Sequence, residues 1–321
     1  MIFARAFAAS FLAAYLLATG AACAQTYPDR PITMLVPFPP GGATDAIARI
    51  IQHSMEESLR QPIVIENVGG AGGMIAAAPD GYTIMIHQVA LAAGVSLYPN
   101  LTFDAVKDFA TIGLINTAAS TLAAPPSLPP KNFDELLRWT KEPGRTVKIG
   151  HPGVGSYGHL AGVLIAQELG LKVTQVPYRG AGPALVDLLA GQVDLSSISA
   201  VVAGPLVKAG KLKAYAIIGR KRFAGLPDLP TLGELGYKKL DFDFWHMLLA
   251  PAGTPRPIVD KLNSALRAAL ADAKVQKTFA DGGMEPFPQD EETPEAARAL
   301  LKREIELWGE VIRANHIAAA Q

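Results

Sequence analysis

The sequence predicts an α/β protein of two lobes, each a mostly parallel sheet flanked by helices. Three observations carry that prediction. Short β-type apolar runs alternate with helical stripes along the chain. A strand, a glycine-rich turn and a helix recur as a unit in both halves. The 321 residues also exceed what one small core needs.

The first unit organises the rest. Ile32 to Val36 reads as a buried strand, Pro37-Phe38-Pro39-Pro40-Gly41-Gly42 as a turn, and Ile47, Ile50, Ile51, Met55 and Leu59 mark a helix near the 3.6-residue period. Pro62 to Asn67 is the next strand, ending in Gly69-Gly70-Ala71-Gly72-Gly73. Pro79-Asp80-Gly81-Tyr82 is a turn, Thr83 to His87 a third strand, and Ile112 to Ile115 a further apolar run. The Pro-rich segment Pro125-Pro126 and Pro129-Pro130 marks the crossing into the second lobe.

That lobe opens with a helix from Phe133 to Lys141 and repeats the plan. Val147 to Gly150 is a strand, His151-Pro152-Gly153-Val154-Gly155-Ser156 its turn, and Tyr157 to Leu169 its helix. Val173 to Pro177 follows as a strand, Gly180-Ala181-Gly182-Pro183 opens another helix, and Val193-Asp194-Leu195 and Leu212 to Ile218 add strands. The apolar Phe242 to Ala250 crosses back. Helices from Pro255 onward and from Pro294 to Ala314 pack on the first lobe. The expected division is residues 25–122 and 246–321 for lobe 1 and 123–245 for lobe 2.

Residues 1–24 stand outside this plan. Arg5 precedes an apolar run from Ala6 to Ala22, and Ala22-Cys23-Ala24 supplies a small-x-small cleavage site. That is the pattern of a secretory signal peptide, and it predicts export. The apolar run is marginally short for a membrane anchor. Cys23 is the single cysteine, so cleavage after Ala24 leaves no thiol and no disulfide. The alternative, a lipoprotein lipidated at Cys23, is the weaker reading because Gly20 stands where such signals carry a larger aliphatic residue.

Charge excludes several functions. Lys and Arg total 29 against 29 for Asp and Glu, so there is no electrostatic footprint for nucleic acid and no basic face for anionic lipid. Enzyme motifs also fail. Val154-Gly155-Ser156-Tyr157-Gly158 lacks the first glycine of a nucleophile elbow. Ile75 replaces the last glycine of a dinucleotide fingerprint, and no Walker sequence is present. His151 and His159 lack metal-ligand spacing. No catalytic residue, metal or cofactor is expected, although a secreted α/β enzyme stays open as a distant alternative.

What the pattern does support is an anion seat. Glycine-rich turns at the C-terminal ends of parallel strands lie where α/β sheets bind ligands. Helix N-termini carry unpartnered N–H groups and a mildly positive end. Turns at Gly41 and Gly42, at Gly155 and Ser156, and at Gly180 and Gly182 converge across a cleft if the lobes face each other. Ser156, His159 and Tyr178 add polar tips. Ser156 is equally a plain N-cap, and Asp45 complements its helix dipole whatever the function.

These same stretches resemble the Bug family, the receptors of tripartite tricarboxylate transporters. The likeness is carried by Pro37 to Gly42 with Asp45 and Arg49, by Glu66-Asn67 with Gly70 to Gly73, and by Pro79 to Thr83. It continues through Gly153 to Ser156 with His159, Val176 to Gly180, Asp187 to Asp194, Leu226 to Thr231 and Ala250 to Pro255. The resemblance implies a two-lobed, Venus flytrap type of periplasmic solute-binding protein, monomeric, that hands a small carboxylate to a membrane permease. A receptor feeding a sensor is the alternative.

It further implies ligand contacts at Phe38, Pro40, Gly41, Gly42, Asp45, Ala71, Gly72 and Gly73 in the first lobe. His87 and Gln88 are specificity candidates, and Gly155, Ser156, His159, Tyr178 and Arg179 close from the second lobe. One departure stands out. Only Met74 to Ala78 separates Gly73 from the Pro79-Asp80-Gly81-Tyr82 turn, about two helical turns fewer than the family carries. The resemblance then implies an altered ligand or a weakened receptor. The identity of the carboxylate is left open.

Overall fold

The computed structural model describes residues 27–38, 40–41, 43–68, 74, 76–98 and 100–317. The expected signal peptide, Cys23, Gly42 and Ala71, Gly72 and Gly73 lie outside the described residues.

The first sheet collects β1 (Ile32–Val36), β2 (Ile63–Asn67), β3 (Thr83–Gln88), β4 (Phe109–Ala118), β10 (Phe244–Pro251) and β11 (Met284–Pro286) in the order β11-β4-β10-β3-β1-β2. The second collects β5 (Ser120–Ala124), β6 (Val147–His151), β7 (Val173–Pro177), β8 (Leu195–Ser199) and β9 (Lys213–Ile218) in the order β7-β6-β8-β5-β9. This is the two-lobed α/β architecture expected.

Strand direction explains how the lobes are joined. β1 pairs in parallel with β2 and β3, and β6 with β7 and β8, so their C-terminal ends share one edge of each sheet. The chain leaves the first sheet at the end of β4, and a single residue, Ala119, separates it from β5. Entering the second sheet at its cleft edge, β5 must run against its neighbours, and it pairs antiparallel with β8 and β9. β10 returns by the same logic and pairs antiparallel with β3 and β4. The reversed strand in the middle of each sheet is the one that has just crossed.

The crossing therefore sits at Ala119 and not in the Pro-rich segment, which follows β5 inside the second lobe. Five elements escape the sequence patterns: the strands β5 and β11, and the helices α2 (Ala90–Leu97), α6 (Ala200–Lys208), which contains Pro205, and α8 (Ala273–Asp281). The strand expected at Val193 to Leu195 lies two residues later, as β8.

Helices cover both faces of the first sheet. One face packs Ile47, Ile51 and Met55 of α1 (Ala43–Leu59) and Leu262 and Leu266 of α7 (Arg256–Ala271) on Met34, Val36, Ile84 and Leu248. The other receives α2 (Ala90–Leu97) and the long α9 (Pro294–Ala314), through Leu97, Leu301 and Trp308. That second cluster runs on into the other lobe through Tyr157, Leu160 and Leu164 of α4 (Tyr157–Leu169). At the join, the buried Glu304 carboxylate accepts from both Trp245 and Trp308 indole N–H groups, at 3.0 and 2.9 Å. The remaining helices are α3 (Phe133–Thr140), α5 (Ala181–Leu189) and α8 (Ala273–Asp281). Among the described residues no helix is long and apolar enough to cross a membrane.

Candidate functional site

The site candidates gather where the strand ends of the two sheets face each other. In the first lobe the turn after β1 is tied down by one carboxylate. Asp45, buried in the first turn of α1, accepts the Gly41 N–H at 3.0 Å, the Arg49 guanidinium at 3.0 and 3.1 Å, and the Asn67 amide at 3.0 Å. The same Asn67 amide donates to the Phe38 carbonyl at 3.1 Å, so the end of β2 holds the end of β1. The Arg49 hydrogen bond, with help from Gly41 and Asn67, draws the Asp45 carboxyl down to about 2 against the opposing effect of burial. Asp45 is thus the clamp of its own turn, and the Gly41 amide is committed to it. Pro40 and Gly41 are exposed, and Phe38 is half-buried.

Behind this turn lies a group of neutral polar side chains. Phe38 meets the His87 ring edge-on with centroids 5.5 Å apart. His87 Nδ1 accepts the Gln88 N–H at 2.9 Å, and Gln88 Oε1 accepts the Ala90 N–H at 2.8 Å, starting α2. Across the sheet, Gln88, His246 and Asn116 stand in register on β3, β10 and β4. His246 Nε2 lies 3.2 Å from the Thr44 hydroxyl in the first turn of α1. Burial lowers His87 to about 4, and burial with His87 beside it lowers His246 to about 3, so both imidazoles are neutral at ordinary pH.

The second lobe closes its turn differently. The Ser156 hydroxyl donates to the Gly153 carbonyl at 2.7 Å and accepts the His159 N–H at 3.2 Å, the N-cap arrangement. His159 Nδ1 accepts the Gly155 N–H at 3.2 Å, and its ring stacks on His151 with centroids 4.3 Å apart. Burial, then the neighbouring His151, lowers His159 to about 4. Tyr178 turns its hydroxyl along its own lobe to Asp187 at 2.7 Å. Arg179 is exposed and forms no ion pair among the described residues.

The structure thus brings Phe38, Gly41, Asp45, His87 and Gln88 together in one lobe and Gly155, Ser156 and His159 in the other, with Tyr178 directed away. The lobes touch nearby, since a Cβ at Gly155 would come 2.7 Å from Leu97 Cδ1 at the end of α2. Thr44, Asn116 and His246 are additions that sequence reasoning missed. For Asn116 and His246 the signal was a polar residue interrupting an apolar strand, as in Phe244-Trp245-His246-Met247. Among the described residues no group of His, Cys, Asp or Glu is placed to hold a metal ion.

Two lobes joined by crossing strands, with glycine turns facing across the gap, define a periplasmic-binding-protein fold. Comparison with known proteins sharpens this. Residues 47–317 match the family described as tripartite tricarboxylate transporter family receptor, and the chain belongs to that family, the Bug receptors. Among solved structures, the periplasmic binding protein BugD is 38% identical, covers 92% of this chain and 100% of its own, and superposes with a TM-score of 0.79. MatC from Rhodopseudomonas palustris, with bound malate, is 36% identical over 89% of this chain and 100% of its own, TM-score 0.78. Rpa4515 from R. palustris, with adipate, is 30% identical over 92% of this chain and 100% of its own, TM-score 0.80.

Proposed function

We propose that this chain is exported to the periplasm, captures a small carboxylate in the interlobe cleft without chemical change, and delivers it to the membrane permease of a tripartite tricarboxylate-type transporter. The observation that carries the reading is membership of a receptor family whose relatives of the same fold hold malate and adipate.

The local chemistry supports an anion held by backbone donors. The Gly41 and Gly155 amides and the Ser156 hydroxyl are committed inside their own turns. The donors remaining are Ala43 and Thr44 in the first turn of α1, Tyr157 and Gly158 in that of α4, and Ala181 and Gly182 in that of α5. First-turn N–H groups have no intrahelical acceptor. With Asp45 neutralised by Arg49 and the imidazoles uncharged, helix N-termini provide the positive potential. Phe38, Pro40, Gly42, Ala71, Gly72 and Gly73 form the first-lobe wall in this reading. Ser156 and His159 form the opposite wall, with Arg179 free to meet a second carboxylate.

A thermal-shift screen of the chain lacking residues 1–24, against mono-, di- and tricarboxylates and acidic amino acids, tests it. A ligand binding only the folded state raises Tm with concentration. One class giving a rise of several degrees is the expected result. A cooperative melt unmoved by every carboxylate refutes the carboxylate assignment.

A further inference from the structure

Two side-chain atoms at the cleft end of the first sheet have no hydrogen-bond partner among the described residues: His246 Nδ1 and Asn116 Oδ1. Both residues are at 0% exposure. They stand directly opposite each other on β10 and β4. On antiparallel strands such a pair shares one face, with Cβ atoms about 4.5–5.5 Å apart. Buried polar groups are ordinarily satisfied, and a facing pair left without partners marks a place for a third group.

The chemistry of that group follows from the neighbours. The Asn116 amide nitrogen donates to the Thr117 carbonyl at 3.3 Å, which leaves Oδ1 as an acceptor. His246 Nε2 is engaged with the Thr44 hydroxyl. When that hydroxyl donates, the proton of the neutral ring sits on Nδ1 and the pair offers one donor and one acceptor. A hydroxyl oxygen answers both, accepting from His246 and donating to Asn116. A carboxylate does not, because it cannot donate to Oδ1.

We propose that His246 and Asn116 form a seat for one neutral hydroxyl oxygen, filled by the hydroxyl of a hydroxycarboxylate ligand or by a fixed water. The link through Thr44 to the first turn of α1 places the seat beside the proposed carboxylate-binding helix terminus. The hydroxyl of a 2-hydroxy acid, one carbon from its carboxylate, therefore has a partner there. A second carboxylate has none. The assignment of the ligand as the source rests on the carboxylate reading above; the seat itself does not.

The test is a pair of crystal structures of the chain lacking residues 1–24, one ligand-free and one grown with L-malate, joined to calorimetry with malate and its deoxy counterpart succinate. If the ligand fills the seat, the malate hydroxyl lies within about 3.2 Å of both atoms. Malate then binds at least about tenfold tighter than succinate, and in Asn116→Leu that preference falls below about twofold. If water fills it, an ordered water occupies the same point in both crystals, and malate and succinate bind alike. No oxygen within hydrogen-bond reach of both atoms in either crystal overturns the proposal. Should Asn116→Leu fail to fold, His246→Phe takes its place, and the wild-type crystals decide in any case. Failure of every carboxylate to bind refutes the ligand class while the ligand-free crystal still decides the seat.

Discussion

The two glycine turns start from one local plan and are closed by opposite chemistries. In the first lobe a buried, ionised Asp45 gathers Gly41, Arg49 and Asn67, so the turn is fastened by charge and by a neighbouring strand. In the second, Ser156 and His159 fasten Gly153 and Gly155 with neutral groups from the same segment. Both leave the next helical amides without an intrahelical acceptor. The first turn depends on tertiary structure and on ionisation, the second on its own few residues.

The largest expected difference lies in the backbone. Gly41 and Gly155 both hold φ at +78°, where an L side chain is strained. An added Cβ meets no described residue within 4 Å at Gly41 but comes 2.7 Å from Leu97 at Gly155. Gly41→Ala should cost about 1–2 kcal/mol from conformation alone. Gly155→Ala should add about 1–3 kcal/mol of overpacking against the buried Leu97. Urea melts of the two variants measure this, and equal costs would break the contrast.

Next in size is the charged clamp. Asp45→Ala leaves the Gly41 amide without its acceptor and Asn67 with the Phe38 carbonyl alone, an expected loss of about 1–3 kcal/mol. Asp45 binds its proton less readily folded, at about 2, than at its ordinary 3.8. The unfolded chain therefore takes up the proton first on acidification. The stabilisation is complete above 3.8 and fades as pH falls towards about 2. Wild type and Asp45→Ala should thus differ by a constant amount in neutral melts and converge in that acid window. A difference that persists at the lowest pH would show that the carboxylate's charge is not what holds the turn.

The smallest effect belongs to the neutral closure. Ser156→Ala removes an N-cap worth about 1 kcal/mol. Ligand affinity should fall with it, because the first-turn amides of α4 lose their support. Unchanged affinity for a ligand found in the screen would remove Ser156 from the second-lobe wall.

What the sequence disclosed follows the same division between local and distant. The helices Tyr157 to Leu169 and Pro294 to Ala314 were legible, the first as an apolar run behind the cap Ser156 and the second as a periodic apolar stripe after Pro294. β5 was not, since Ser120-Thr121-Leu122-Ala123-Ala124 is buried throughout and offers no alternation to read. At the site, the glycine turns were visible but not the direction of their side chains. Asp45, Ser156 and His159 point back into their own loops. The row of Gln88, His246 and Asn116 is assembled by strand pairing between distant segments, and no local spacing announces it.

The position of β10 has a consequence for how the chain matures. It lies between β4 and β3, so until it arrives β4 is separated from the β3-β1-β2 group. Synthesised from its N-terminus, the chain presents every strand of the second sheet before β10 emerges. The second lobe can therefore be assembled while the first is still in two parts. A chain stalled before Phe244 would hold a finished half beside an open one, and the last quarter of the polypeptide decides whether there is a cleft at all.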